Sequence, residues 1–145
     1  MDKKFYITTP IYYINASPHI GHSYTTIACD TLSRYYKSLG FKVHFLTGTD
    51  EHGLKVQQAA AAKGLKPLDF ADKAVEVFRE LWKKLNISHD DFIRTTEERH
   101  VKFVQKFLEI LKQKGDLEEG IYEGWYCTPC ETFWTETQIV NGNCP

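Results

Sequence analysis

The alternation of strand-like and helix-like segments constrains the fold of this chain more than any other sequence feature. Residues 4–13 are rich in β-branched and aromatic side chains, although Pro10 disfavours a central ladder position there. Apolar side chains recur at helical spacing over residues 20–39, and a second strand-like run follows at 42–49. The same patterns predict helices over 54–63, 67–85 and 97–114, and a short strand over 91–96. This order predicts an α/β fold in which helices cover a parallel sheet.

The start and end of the first helix are also marked in the sequence. Ser17 suits the N-cap position and Pro18 the first helical position, so we expect the helix to begin there. Gly40 is expected to end it, because glycine readily adopts the left-handed conformation that follows a helix.

The composition of the chain changes after Gly115. Gly, Tyr, Trp, Cys, Thr and Glu dominate the remaining residues, and helical periodicity is lost. We therefore predict one domain over residues 1–115 and the start of a small β insertion over residues 116–145.

Composition narrows the possible functions. The chain has 145 residues, with 18 basic and 19 acidic side chains, and this balance argues against binding nucleic acid by charge alone. No apolar run reaches the roughly 18–20 residues that a membrane span needs. We expect a cytoplasmic protein without membrane contact, in which the four cysteines are reduced.

Two histidines lie at the start of the first helix. His19 and His22 are three residues apart, so they share one face of the first turn, where backbone N–H groups and the helix dipole attract phosphate. Imidazoles there could stabilise charge during transfer at an α-phosphate, and Gly21 leaves room for a flat base or ribose. The alternative is a pair of solvent-exposed histidines without function.

A second candidate site follows the second strand. Asp50 precedes Glu51, His52 and Gly53, at the strand end where ligands bind in open α/β sheets. Its carboxylate could receive a substrate ammonium group. It could equally serve as the N-cap of the next helix.

The cysteines suggest a metal site. Cys127 and Cys130 form a Cys-x-x-Cys motif, and thirteen residues separate Cys130 from Cys144. This spacing is typical of a tetrahedral structural zinc site, with a fourth ligand expected just beyond Pro145. A redox motif is the weaker alternative, because the pair does not lie at the strand-to-helix junction of a βαβ unit.

Together these motifs resemble a known family. His19-Ile20-Gly21-His22 matches the HIGH signature of class I aminoacyl-tRNA synthetases. Residues 9–22 resemble its methionyl-tRNA synthetase form, and residues 48–53 resemble that family's next block. The likeness extends over essentially the whole chain and includes the late cysteines. It implies the first half of a Rossmann-type catalytic domain, followed by a zinc-bearing insertion.

The resemblance also implies substrates and residue roles. Methionine would react with Mg-ATP to give methionyl-adenylate, and the methionyl group would pass to the 3′ end of tRNA(Met). His19 and His22 would be catalytic. Asn15, His19, Gly21 and His22 would bind ATP; Ile11, Tyr13 and Asp50 would bind methionine.

One feature of the family is not found in the sequence. A class I synthetase needs a KMSKS-like lysine loop, which these residues lack, so we expect the 145 residues alone to be inactive. Three other hypotheses stay open at this point: a stand-alone nucleotide-binding or regulatory module, a zinc-held interaction domain, and another class I synthetase.

Overall fold

The computed structural model describes residues 3–145. They form six strands and four α-helices, followed by a 3₁₀ turn at Glu136–Gln138. In chain order the elements are β1 (Lys4–Thr8), β2 (Tyr12–Tyr13), α1 (Ile20–Ser38), β3 (Lys42–Asp50), α2 (Leu54–Ala62), α3 (Pro67–Lys84), β4 (Asp91–Arg94), α4 (Glu98–Lys114), β5 (Trp125–Cys127) and β6 (Thr132–Trp134). The chain divides into two compact units, Met1–Phe103 and Val104–Pro145.

The first unit is built on a parallel sheet with β3 at its centre. Leu46 of β3 pairs with Thr8 on one side and with Asp91 on the other, while Thr49 pairs with Tyr12 and Arg94. Strands β1 and β2 therefore follow one another along one edge of β3, and β4 runs along the other. The predicted α/β fold with a parallel sheet is confirmed.

The break between β1 and β2 lies at Pro10, which has no N–H to donate to a ladder. The neighbouring Thr9 still donates its N–H to the Leu46 carbonyl at 3.1 Å, so the chain stays on the edge of β3. It pairs again at Tyr12, and this brings the start of α1 to the carboxyl end of the sheet.

The core of this unit lies between the sheet and helices α2 and α3. Its largest buried side chains include Tyr12, Ile14, Phe78 and Trp82, each at most 5% exposed. Burying such a side chain stabilises a fold by roughly 1.5–3 kcal/mol. Because Tyr12 belongs to this core, it anchors the segment that leads into α1.

Strands β3 and β4 approach unusually closely at Gly48. A Cβ atom placed on Gly48 would lie 2.1 Å from the Ile93 carbonyl oxygen and 2.6 Å from the Ile93 Cγ2. Only glycine fits there, since any side chain would force the two strands apart.

The second unit contains the antiparallel hairpin β5–β6 and a tight turn in which Val140 pairs with Asn143. Asn141 and Gly142 of that turn have positive φ angles of 51° and 76°. The cysteines of the zinc motif lie in or directly beside the hairpin turn and this second turn. Our domain boundary at Gly115, where α4 has just ended, stays a prediction.

None of the helices in the described residues has the length and apolar character that a membrane span requires.

We expect Gly48→Ala to destabilise the full-length protein by about 1–3 kcal/mol, because β3 and β4 must separate to admit the methyl group. Gly120→Ala is the matched control, since no atom lies within 4 Å of a Cβ at that position. Urea denaturation of both variants checks this. Equal stability of the two would contradict the close approach of the strands.

Candidate functional site

The carboxyl edge of the parallel sheet brings together the residues singled out around α1 and β3. The segment after β1 leads to the start of α1 at this edge, and β3 ends there at Asp50. Sheets of this kind bind ligands at that edge, where helix N-termini also meet it.

The two histidines of the first motif cap α1 themselves. His19 is the N-cap residue, and its Nδ1 accepts a hydrogen bond from the Gly21 N–H at 3.1 Å. The His22 Nδ1 accepts one from the His19 N–H, also at 3.1 Å. Together the two side chains form a capping box. Our assignment of Ser17 as the cap and Pro18 as the first helical residue is therefore wrong.

This cap selects one form of each ring. A nitrogen that accepts a hydrogen bond carries no proton, so both neutral rings hold their proton on Nε2. The rings stack with centroids 3.9 Å apart. Burial, followed by the neighbouring His19, lowers the pKa of His22 below its usual 6.5, which favours the neutral form of that ring. With both Nδ1 atoms accepting, each ring leaves its Nε2 free to donate to a ligand.

Gly21 also makes room for the neighbouring His19 side chain. A Cβ atom there would lie 3.0 Å from the His19 Cε1 and 3.1 Å from its Nδ1. The absence of a side chain at Gly21 therefore leaves space for the His19 ring.

His22 is also held by the core beneath it. The Tyr12 ring meets its imidazole edge-on with centroids 4.8 Å apart, and the Thr26 hydroxyl donates to the His22 carbonyl at 2.9 Å. The Tyr12 hydroxyl contacts the Thr26 Oγ1 at 2.8 Å, and burial raises the pKa of that phenol. Sequence reasoning gave Tyr12 no role, because only the folded chain places it under His22.

Asp50 and Tyr13 occupy one register position of the sheet. Side chains alternate along strands, so these two share one face, whereas Tyr12, Thr49 and Arg94 share the other. Asp50 is half-buried, and its Oδ1 accepts a long hydrogen bond of 3.4 Å from the His52 N–H. The N-cap of α2 is Gly53, without a side-chain cap, so the alternative role of Asp50 as a helix cap is wrong.

The remaining candidates of this region are exposed. Ile11 lies between β1 and β2 with 43% of its surface accessible, and Asn15 is exposed in the loop before α1. Asn15 also lines a cavity of about 180 Å³.

A buried ion pair beside Asp50 escaped sequence reasoning. The Glu51 side chain is 0% exposed and accepts hydrogen bonds from Arg94 at 2.7 and 3.0 Å. Hydrogen bonding to Glu51 is the main cause that raises the pKa of Arg94. Glu51 and Arg94 are 43 residues apart in sequence, and no sequence motif links the two.

The second unit brings the three predicted cysteines together. The Sγ of Cys144 lies 3.3 Å from that of Cys127 and 3.8 Å from that of Cys130, and all three lie within 4.8 Å of one another. Four sulfurs around zinc at about 2.3 Å lie roughly 3.8 Å apart, so this cluster could hold a metal ion. Cys29 lies in α1, outside the cluster.

Comparison with known proteins agrees with this architecture. The chain matches the family described as tRNA synthetases class I (M) over residues 5–145, and it belongs to that family. The resemblance inferred from the motifs is thus confirmed.

Individual relatives agree as well. A Methionine--tRNA ligase of Clostridium tetani is 57% identical over 146 residues, which cover 100% of this chain and 23% of that protein. A solved Mycobacterium tuberculosis methionyl-tRNA synthetase in complex with methionyl-adenylate has a TM-score of 0.90 at 43% identity, covering 97% of this chain and 28% of that one. The Agrobacterium radiobacter LeuRS, solved in a ternary complex with tRNA, has a TM-score of 0.80 at 25% identity, covering 97% and 18%. The chain therefore spans between 18% and 28% of the length of these three proteins.

We expect His22 in the full-length protein to titrate below pH 6.5 and to carry its proton on Nε2. Its folded pKa is depressed, so the folded state binds fewer protons than the unfolded state. The stability that His22 contributes is therefore present above pH 6.5 and is lost as the pH falls through the folded pKa. Nitrogen-15 NMR of the imidazole rings reports both properties, and an Nδ1–H tautomer at pH 7 would contradict the capping box.

Proposed function

We propose that the full-length protein containing this chain is a methionine–tRNA ligase. In the first step the methionine carboxylate attacks the α-phosphate of Mg-ATP, giving methionyl-adenylate and pyrophosphate. In the second step the methionyl group passes to the 3′-terminal adenosine of tRNA(Met). The observation that carries the proposal is the reciprocal histidine cap of α1, at the sheet edge where Asp50 ends β3.

The histidine pair suits phosphate chemistry. Two imidazole rings with Nε2–H donors at a helix N-terminus can stabilise negative charge as it grows on α-phosphate oxygens in the transition state. In this proposal His19 and His22 act in catalysis. Together with Asn15 and Gly21 they form the ATP site.

The Asp50 carboxylate suits the amino group of methionine. It is half-buried, and its long bond from His52 uses only part of the capacity of a carboxylate to accept hydrogen bonds. We assign Asp50 to the ammonium group, and Ile11 and Tyr13 to the same amino-acid site. An ammonium bound by Asp50 leaves the substrate carboxylate available to attack.

The cysteine cluster suits zinc. Three thiol sulfurs at these spacings fit a structural zinc site, and they belong to a unit in which no residue of β5, β6 or the 3₁₀ turn is fully buried. We assign Cys127, Cys130 and Cys144 to this ion, with the fourth ligand supplied after Pro145. The ion would stabilise the fold of the unit and take no part in the reaction.

The partners in this proposal are methionine, ATP and tRNA(Met), and the location is the cytoplasm, where aminoacylated tRNA is used.

We expect Asp50→Ala in the full-length protein to lower kcat/KM for methionine by about tenfold to a thousandfold. A hydrogen bond to a charged group contributes roughly 1.5–3 kcal/mol, and the ammonium would lose its partner. The KM for ATP should change less. Methionine-dependent ATP–pyrophosphate exchange measures both constants.

Asp69→Ala is the matched control, because Asp69 is an exposed carboxylate in the first turn of α3. If Asp50→Ala and Asp69→Ala had the same methionine kinetics, Asp50 would have no part in the amino-acid site.

We expect metal analysis of the full-length protein to give about one zinc per chain, and Cys127→Ser to lower that content. Cys29→Ser should leave it unchanged, since Cys29 lies outside the cluster. A stable full-length protein without zinc would refute the assignment.

A further inference from the structure

Glu51, the residue that follows β3, is anchored on all sides. Its buried carboxylate accepts two hydrogen bonds from Arg94, one from the Thr49 hydroxyl at 2.8 Å and one from the Thr96 hydroxyl. A buried carboxylate is stable only when it is paired and hydrogen-bonded, and these contacts meet that condition. The Glu51 side chain is therefore fixed in one position.

Arg94 is fixed as well. It is the last residue of β4 and pairs in register with Thr49 of β3. Its Nη2 also donates to the Asp72 carboxylate at 2.6 Å, which ties it to α3. The ion pair thus joins the ends of two adjacent strands to a helix.

The backbone of this turn is held by Thr95. Its Oγ1 accepts the Glu51 N–H at 2.9 Å and lies 3.0 Å from the His52 Nδ1. The residues on both sides of Asp50 are consequently immobilised, because Thr49 is fully buried and Glu51 is bonded through both its backbone and its side chain.

We infer that the Glu51–Arg94 pair is a positioning device for the Asp50 carboxylate. Successive side chains of an extended chain point to opposite faces. Holding Glu51 on the Arg94 side of the sheet therefore holds Asp50 on the other face, beside Tyr13. The inference rests on the proposed function, in which Asp50 receives the methionine ammonium, and it makes Glu51 and Arg94 determinants of methionine binding without contact to methionine.

Arg94→Lys in the full-length protein tests the inference, because it keeps the positive charge and removes the two-pronged contact. We expect the KM for methionine in ATP–pyrophosphate exchange to rise by about tenfold to a hundredfold, since small misplacements of a binding group have effects of this size. The KM for ATP should stay within about twofold. A general loss of folded structure would not raise the KM for methionine while leaving the KM for ATP nearly unchanged.

Arg99→Lys is the matched control. Arg99 makes the same type of two-pronged contact, at 2.7 and 2.9 Å, with Asp91 at the opposite end of β4. Its loss should leave the KM for methionine unchanged.

Thr95→Val is the second variant, and it tests the positioning of Asp50 if Arg94→Lys does not fold. It preserves the shape of the side chain and removes the hydroxyl that holds Glu51 and His52. We expect the same selective rise in the KM for methionine. A folded Arg94→Lys or Thr95→Val protein with wild-type methionine kinetics, or with equal rises in both KM values, would overturn this inference. It would leave the proposed function untouched. A wild-type protein without methionine-dependent exchange would overturn the proposed function and the inference with it.

Discussion

The close packing of β3 against β4 at Gly48 is the constraint on which the rest of the site depends. Because no side chain separates Gly48 from the Ile93 carbonyl, the two strands can run together to their carboxyl ends. Arg94 then reaches the residue that follows β3, and the buried pair with Glu51 can form. A larger residue at position 48 would separate the strands just before the point where Asp50 has to be placed.

At the start of α1, the two histidines proposed for catalysis also cap the helix. A helix N-terminus leaves backbone N–H groups without partners, and here the imidazoles of His19 and His22 satisfy two N–H groups at this end. The bonds occupy both Nδ1 atoms and leave the Nε2 atom of each ring for a ligand. Capping and the proposed catalysis are therefore served by opposite nitrogens of each ring, and Gly21 provides the space that the arrangement needs.

Sequence patterns predicted most of the elements but not how their ends are fixed. The strands and helices lie close to the predicted ranges, and Gly40 and Gly64 follow α1 and α2 with positive φ angles as helix-ending glycines do. The cap of α1 was misassigned to Ser17, because local preference cannot show that an imidazole competes successfully for the same N–H groups. The three cysteines could be grouped from their spacing alone, since two tight turns suffice to bring them together.

The sequence by itself determined the order of strands and helices, the family, and the residues that carry recognisable motifs, because periodicity and short spacings are properties of neighbouring residues. The tertiary structure alone decided which face of the sheet Asp50 and Tyr13 share, which ring nitrogens of the histidines are occupied, and that Glu51 is paired with Arg94. These depend on strand register and on contacts between residues 43 positions apart, and no local pattern records such contacts. They exist only after the chain has folded.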